Sequence, residues 1–482
     1  MKNTKLFMFA ACTLFLAACG KQTVKIMTPP DASNRILFSA EQLQTTLDKA
    51  GYQVMMQQGD TTFSDPEIKT ILLTEVNDTT LKKEGFHITT TGNLTRVSGR
   101  DGSGVIYGSR ELIDRVNDSD GKLDFPEELK DGPEMVLRGA CVGLQKMTYL
   151  PGHGVYEYPY TPESFPWFYD KEQWIKYLDM LVANRMNSLY LWNGHPFASL
   201  VKLEDYPFAL EVDEETFKKN EEMFSFLTEE ADKRGIFVIQ MFYNIILSKP
   251  FAEHYGLKTQ DRNRPITPLI ADYTRKSIAA FIEKYPNVGL LVCLGEAMCT
   301  VEDDVEWFTK TIIPGVKDGL QALGRTDEPP LLLRAHDTDC KLVMDAALPI
   351  YKNLYTMHKY NGESLTTYEP RGPWAKIHTD LSSLGSIHIS NVHILANLEP
   401  FRWGSPDFVQ KAVTAMHNVH GANALHLYPQ ASYWDWPYTA DKLPNNEREF
   451  QLDRDWIWYQ TWGRYAWNCH RDRTDEMGYW DH

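Results

Sequence analysis

Val288-Gly289-Leu290-Leu291-Val292-Cys293-Leu294-Gly295-Glu296 is an apolar run that stops on a glycine and a carboxylate. It is too short for a buried helix and lacks the alternation of a half-solvated strand, so it reads as a parallel strand covered on both faces. Seven further stretches share that pattern: Val136 to Leu144, Ser188 to Trp192, Ile236 to Tyr243, Leu331 to Arg334, Asn353 to His358, Val392 to Leu398 and Ala422 to Tyr428. Amphipathic segments lie between them, among them Gln173 to Arg185, Glu214 to Arg234, Tyr273 to Tyr285, Val305 to Leu323 and Phe408 to Val419, with Asp453 to Trp467 at the end. Eight strand-helix units across residues 133–482 predict an α/β fold, a (β/α)8 TIM barrel, rather than an open nucleotide-binding sheet. No G-x-G-x-x-G follows any of the strands, which removes the dinucleotide alternative.

Upstream, residues 31–132 predict a small α+β domain. Ser39 to Ala50 and Gly104 to Val116 carry helical stripes, Lys69 to Thr74 an apolar strand, and Gly85 to Thr91 with Leu94 to Gly99 a hairpin. The chain opens on Met1-Lys2-Asn3-Thr4-Lys5, followed by an apolar run from Leu6 to Ala18 that is right for a signal h-region and short for a span. Leu16-Ala17-Ala18-Cys19-Gly20 has the form of a bacterial lipoprotein box. The expectation is a signal peptide over 1–18, lipidation at Cys19, a polar tether over 19–30 and a lipid-anchored place in the bacterial cell envelope.

Composition narrows the function. The 482 residues hold 49 Lys plus Arg against 65 Asp plus Glu, a net charge of -16 without a basic run, which argues against nucleic acid as a partner. Aromatics make up 12% with 13 Trp, a supply of flat apolar faces that suits sugar stacking. Outside the leader, Cys141, Cys293, Cys299, Cys340 and Cys469 are odd in number and form no CxxC pair, so buried thiols are expected.

A TIM barrel works at the C-terminal ends of its strands. Those ends read Asn193-Gly194-His195, Tyr243-Asn244, Gly295-Glu296, Arg334-Ala335-His336-Asp337, His358-Lys359-Tyr360-Asn361-Gly362-Glu363, Asn397-Leu398-Glu399 and Tyr428-Pro429-Gln430, the last followed by Trp434. Carboxylates, cations, amides and aromatics around one mouth suit an oligosaccharide. Glycoside hydrolysis needs an acid to protonate the leaving oxygen and a second carboxylate to attack or to activate water. Glu296 and Glu399 are the expected pair, with Glu363 and Glu369 competing for the second role. Glu296, between apolar neighbours, is expected to titrate high and serve as the acid. Arg334 and Lys359 are expected to hold an anionic sugar, and His336, Asp337, Asn193, Asn361 and Trp434 its hydroxyls and ring. The histidines form no HExxH or comparable spacing and no G-x-S-x-G elbow occurs, so no metal, no cofactor and no serine nucleophile are expected.

Lys359-Tyr360-Asn361-Gly362-Glu363 through Tyr368-Glu369-Pro370-Arg371, with the strand toward Glu399, resembles the α-glucuronidases of glycoside hydrolase family 67. In that family an acid ends strand four, the place of Glu296, and an arginine at strand five binds the uronate, the place of Arg334. Gly104-Val105-Ile106-Tyr107-Gly108 resembles the element that closes the accessory domain of these and of hexosaminidase-type enzymes. The resemblance implies an exo-acting enzyme that removes an α-linked uronic acid from plant or algal oligosaccharides with inversion. An N-acetylhexosaminidase needs adjacent carboxylates after strand four, where this chain has Gly295-Glu296-Ala297. A catalytically silent sugar-binding lipoprotein is the remaining alternative.

Overall fold

The computed structural model describes residues 21–59, 62, 66–144, 159–243, 246–296, 298–363, 365, 367–393, 405–428, 438–442, 444–445 and 447–481. The first layer is a six-stranded sheet of β1 (Thr23–Thr28), β2 (Gln53–Gln58), β3 (Lys69–Glu75), β4 (Phe86–Thr91), β5 (Leu94–Gly99) and β6 (Glu128–Asp131), in the order β2-β1-β3-β5-β4-β6. The β2, β1, β3 and β5 strands run parallel, and β4 is antiparallel to both its neighbours. Helices α1 (Asn34–Lys49) and α2 (Gly102–Asp118) pack on it with Ile36, Phe38, Leu43, Leu47, Val105, Leu112 and Val116 buried. The close seating of α2 requires glycine: a Cβ on Gly104 would lie 2.2 Å from the Gly85 carbonyl oxygen.

Residues 23–28 correct the expected tether. They alternate buried Val24 and Ile26 with half-exposed Thr23 and Lys25, and pair with both β2 and β3 inside the sheet. Cys19 lies outside the described residues.

The barrel is the one expected. It is built from β7 (Leu137–Gly143), β8 (Ser188–Trp192), β9 (Phe237–Tyr243), β10 (Val288–Cys293), β11 (Leu331–Arg334), β12 (Leu354–Glu363), β13 (Ile387–His393) and β14 (Ala424–Tyr428), all parallel, and β14 pairs with β7 to close it. Inward residues Leu137, Cys141, Tyr190, Ile239, Met241, Leu291, Leu332, Met357 and Ile389 form a compact inner core, while the alternate residues pack outward on the helices. Asp170, Asp213, Thr267 and Thr300 each cap a surrounding helix by accepting from a backbone N–H three residues on. Among the described residues no helix is long and apolar enough to cross a membrane.

Two barrel strands differ from the sequence reading: β12 runs to Glu363, five residues past the expected His358, and β13 begins at Ile387, five residues before the expected Val392. Two of the buried polar residues of β13 are hydrogen-bonded: Thr356 Oγ1 and His388 Nδ1 are 3.0 Å apart, His388 Nε2 and His378 Nδ1 2.8 Å, and the amide of Asn391 donates to the His426 carbonyl. A strand that hides such a chain does not read as apolar. The expected Glu399 therefore stands six residues beyond the strand end at His393 and outside the described residues.

The sheet domain and the barrel meet at Arg138. This residue of β7 is fully buried. Its guanidinium donates to Glu84 Oε2 at 2.8 Å, the Tyr107 hydroxyl at 3.2 Å, and the carbonyls of Met135 and Arg185, both at 2.7 Å. Glu84 also accepts from the Asn187 amide at 2.9 Å, and holds a left-handed backbone (φ +63°) to do so. Removing one partner of a buried pair leaves the other charge stranded, so Glu84→Gln should destabilise the protein by about 3–5 kcal/mol. Arg138→Leu and Glu84→Leu together should cost less than the sum of the single changes. Urea unfolding of Glu84→Gln, of the two single Leu variants and of their double measures both, and additive losses would show that the pair is not coupled.

Candidate active site

Glu296 sits two residues beyond Leu294 because the chain turns sharply there, and the turn depends on Gly295. A Cβ on Gly295 would lie 1.8 Å from the Asp337 carbonyl oxygen. The Gly295 N–H donates to Thr338 Oγ1 at 3.0 Å, Thr338 Oγ1 donates to the His336 carbonyl at 3.1 Å, and Asp337 adopts φ +53°. The loops after β10 and β11 are thereby interlocked, and Glu296 is fixed beside the end of β11.

Arg334, the last residue of β11, donates from Nη1 to Glu296 Oε2 at 2.9 Å. The same nitrogen lies 3.4 Å from the Tyr243 hydroxyl and 3.6 Å from Cys293 Sγ. His336 Nε2 is 3.3 Å from the other Glu296 oxygen. The pair is withdrawn from solvent, with side-chain exposures of 8% for Arg334 and 17% for Glu296. Its wall is aromatic. The guanidinium lies over the Trp192 ring at 5.4 Å, Trp192 meets Tyr428 edge-on at 5.0 Å, and Tyr428 meets His393 at 4.5 Å. The ends of β8, β9, β10, β11, β13 and β14 thus converge on one charged pair.

The electrostatics correct the expected titration of Glu296. Burial does push its carboxyl up, but the hydrogen bond from His336 and the charges of Arg334 and His336 outweigh it and hold the group down to about 2. Glu296 is a carboxylate at neutral pH in this state. His393, driven down to about 2 by burial and by the charges of Lys359 and Arg334, is a neutral imidazole. His358 is shifted the same way by burial.

The other expected residues divide. His336, with Asp337 Oδ2 3.6 Å from its ring, joins Glu296 and Arg334, and buried Lys359 adds its charge to the same mouth. Asn193 is turned away from it: its amide donates to the Leu144 carbonyl at 2.8 Å and its oxygen accepts from the His195 N–H at 2.9 Å, which shapes the turn. Asn361 likewise donates to the Thr367 carbonyl at 2.6 Å and holds its own loop. Glu363 is the last residue of β12, and Glu369 is exposed on the loop that follows. Glu399 and Trp434 lie outside the described residues. The sequence reading places Tyr243 and Tyr428 at the mouth but gives no role to them or to Trp192, each a polar-tipped ring at the last position of an apolar strand, and it missed His393 because β13 does not read as apolar.

No family model and no curated protein matches this sequence. Among solved structures, the chain is similar to a GH138 enzyme targeting pectin rhamnogalacturonan II, at 74% identity and a TM-score of 0.90, over 95% of this chain and 65% of that one. It therefore spans slightly under two thirds of that protein's length. Two more distant likenesses are a Flavobacterium johnsoniae chitobiase (12% identity, TM-score 0.59, 95% of this chain and 68% of that one) and a Streptomyces plicatus N-acetyl-β-hexosaminidase (12%, 0.55, 93% and 88%). At that identity they show the fold alone. The 74% identical structure overturns the resemblance to family 67, which rests on short strand-end motifs.

If Arg334 is what keeps Glu296 ionised, Arg334→Gln should raise the Glu296 pKa from about 2 by at least about one unit, because burial then acts against fewer opposing charges. Carbon-13 NMR titration of labelled glutamate, with Glu296→Gln used to assign the signal, reads this directly. An unchanged value would mean that His336 and Tyr243 set the charge without Arg334.

Proposed function

We propose that this chain is an exo-acting glycoside hydrolase that removes an α-linked uronic-acid sugar from a plant-wall polysaccharide. The observation that carries the reading is the Glu296–Arg334–His336 cluster at the C-terminal mouth of a closed barrel, walled by rings. Rhamnogalacturonan II, the pectin targeted by the 74% identical enzyme, is the polymer proposed for it.

The low titration of Glu296 gives this reading a specific form. In the resting site Arg334 and His336 hold Glu296 as a carboxylate. An entering uronate offers Arg334 a planar carboxylate that the guanidinium fork can grip with two parallel hydrogen bonds. Glu296 then loses its counter-ion and gains a like charge nearby, and both changes raise its pKa. Protonated, it can deliver its proton to the glycosidic oxygen as the general acid. The acid is armed by the anionic sugar itself. For the second carboxylate the candidates are Glu363, which ends β12 six residues past Met357, the partner of Arg334 in the β11–β12 register, then Glu369 and Glu399. The stereochemical course follows from the separation of the two carboxyls, about 5–5.5 Å for retention and 6.5–9.5 Å for inversion. The inverting course expected above rested on the family 67 resemblance and falls with it.

The test is a comparison of sugars. Arg334→Ala should lower kcat/KM on an aryl uronoside by about 2–5 kcal/mol of transition-state stabilisation, and affect the neutral glycoside with the same leaving group far less. Glu296→Gln should lose about two or more decades on substrates with poor leaving groups and less on activated ones. Equal losses on both sugars would make Arg334 structural and the substrate neutral. Glycan binding without turnover in the unaltered protein would leave a sugar-binding lipoprotein.

The lipoprotein box supports a place in the cell envelope, with Cys19 carrying the lipid. Radiolabelled palmitate should mark the expressed protein, and Cys19→Ala should abolish the label. Label that persists in the variant would refute the anchor.

A further inference from the structure

At the opposite end of the barrel, three donor groups meet that the proposed hydrolysis does not use. Glu134 lies three residues ahead of β7. Its N–H donates to the carbonyl of Trp467 at 3.0 Å, where the helix Trp456–Trp467 ends. Two residues on, Cys469 turns back: its N–H is 3.2 Å and its Sγ 3.1 Å from Glu134 Oε2. His470 Nε2 stands 3.6 Å from the other carboxylate oxygen. All three ligand atoms lie within 4.8 Å of one another, the one such trio among the described residues.

We propose that Glu134, Cys469 and His470 bind a zinc ion that fastens the closing helix to the entry of the barrel. The donor set is the first reason. A thiolate, an imidazole and a carboxylate together suit Zn2+ and would be a poor cage for Ca2+ or Mg2+, which take oxygen ligands. Spacing is the second. Bonds of about 2.0–2.3 Å in a tetrahedron put ligand atoms roughly 3.3–3.8 Å apart, and the measured contacts to Glu134 fall close to that range. Access is the third, since Cys469 is buried while the His470 side chain is 49% exposed, so an ion can enter from solvent and displace the thiol proton.

His417 stands near the trio but is not part of it. The His417 ring lies 6.3 Å from that of His470, and its Nδ1 is 3.1 Å from the Ala422 carbonyl. A proton held on Nδ1 by that carbonyl leaves Nε2 as the open nitrogen, the tautomer a metal needs. Water completes the shell otherwise. Because residues 134 and 469 are joined through the whole barrel, the ion closes a very long loop, and its binding energy adds to folding stability.

The experiment uses tag-free protein stripped with a chelator, given Zn2+, passed through a desalting column and assayed by plasma mass spectrometry. About one zinc per chain should remain, and the melting temperature should rise. Co2+ in place of Zn2+ should give the near-ultraviolet band of a thiolate-bound cobalt. Cys469→Ser should lose that band, and His470→Ala, altering an exposed side chain, should stay folded by circular dichroism and bind zinc at least about tenfold more weakly. Failure of the unaltered protein to retain zinc, or equal retention in both variants, would overturn the site and leave a thiol–carboxylate hydrogen bond. Neither result bears on turnover at Glu296, which is measured separately.

Discussion

Arg138 carries a guanidinium, yet it is fully buried in the first strand of the barrel, and the architecture is organised around answering it. One answer is a carboxylate brought from another domain: Glu84, in a strained left-handed turn just before β4, points into the barrel base. Tyr107 of α2 and Trp467 of the closing helix stack against the same guanidinium. Sheet domain, barrel and C-terminal helix therefore share one buried cation. Each would expose an unpaired charge or an unfilled ring if it undocked, so the three are expected to unfold together.

The two ends of the barrel use buried charge differently. At the base all three nitrogens of Arg138 donate to groups that belong to the fold. At the mouth Arg334 spends one nitrogen on Glu296, Tyr243 and Cys293, two of them at long distance. A guanidinium has five donors, and one whose bonds to described residues all leave from a single nitrogen is suited to grip an incoming carboxylate. That difference separates a charge that holds the structure from one that can do chemistry.

Most of the barrel was legible because parallel strands covered on both faces are apolar throughout, and Ser188–Trp192 and Leu331–Arg334 are bounded in the structure as the sequence bounds them. The reading failed where burial is achieved by hydrogen bonding rather than by hydrophobicity. The β13 strand carries the hydrogen-bonded His388 and Asn391 inside, so the apolar pattern pointed five residues downstream and promoted Glu399 to a strand end. The β1 strand failed for a related reason: at six residues with two lysine- or threonine-bearing alternations, it resembles a polar linker until β2 and β3 flank it. Glu296 and Arg334 were found at their strand ends, but their pairing was not, since 38 residues separate them and only the register of β10 against β11 brings them together. Glu134 and Cys469 are a stronger case of the same limit, with 335 residues between two groups in contact.

The carbonyl of Asp337 occupies the space where any side chain at position 295 would stand. Two of the eight loops at the mouth are therefore keyed to each other, and neither can be lengthened, shortened or re-aimed without the other. A lineage of such barrels that acquires new sugars would have to do so through the remaining loops, leaving the Glu296 and Arg334 hinge unchanged. The glycine makes the centre of the site the least evolvable part of it, and it confines diversity to the rim.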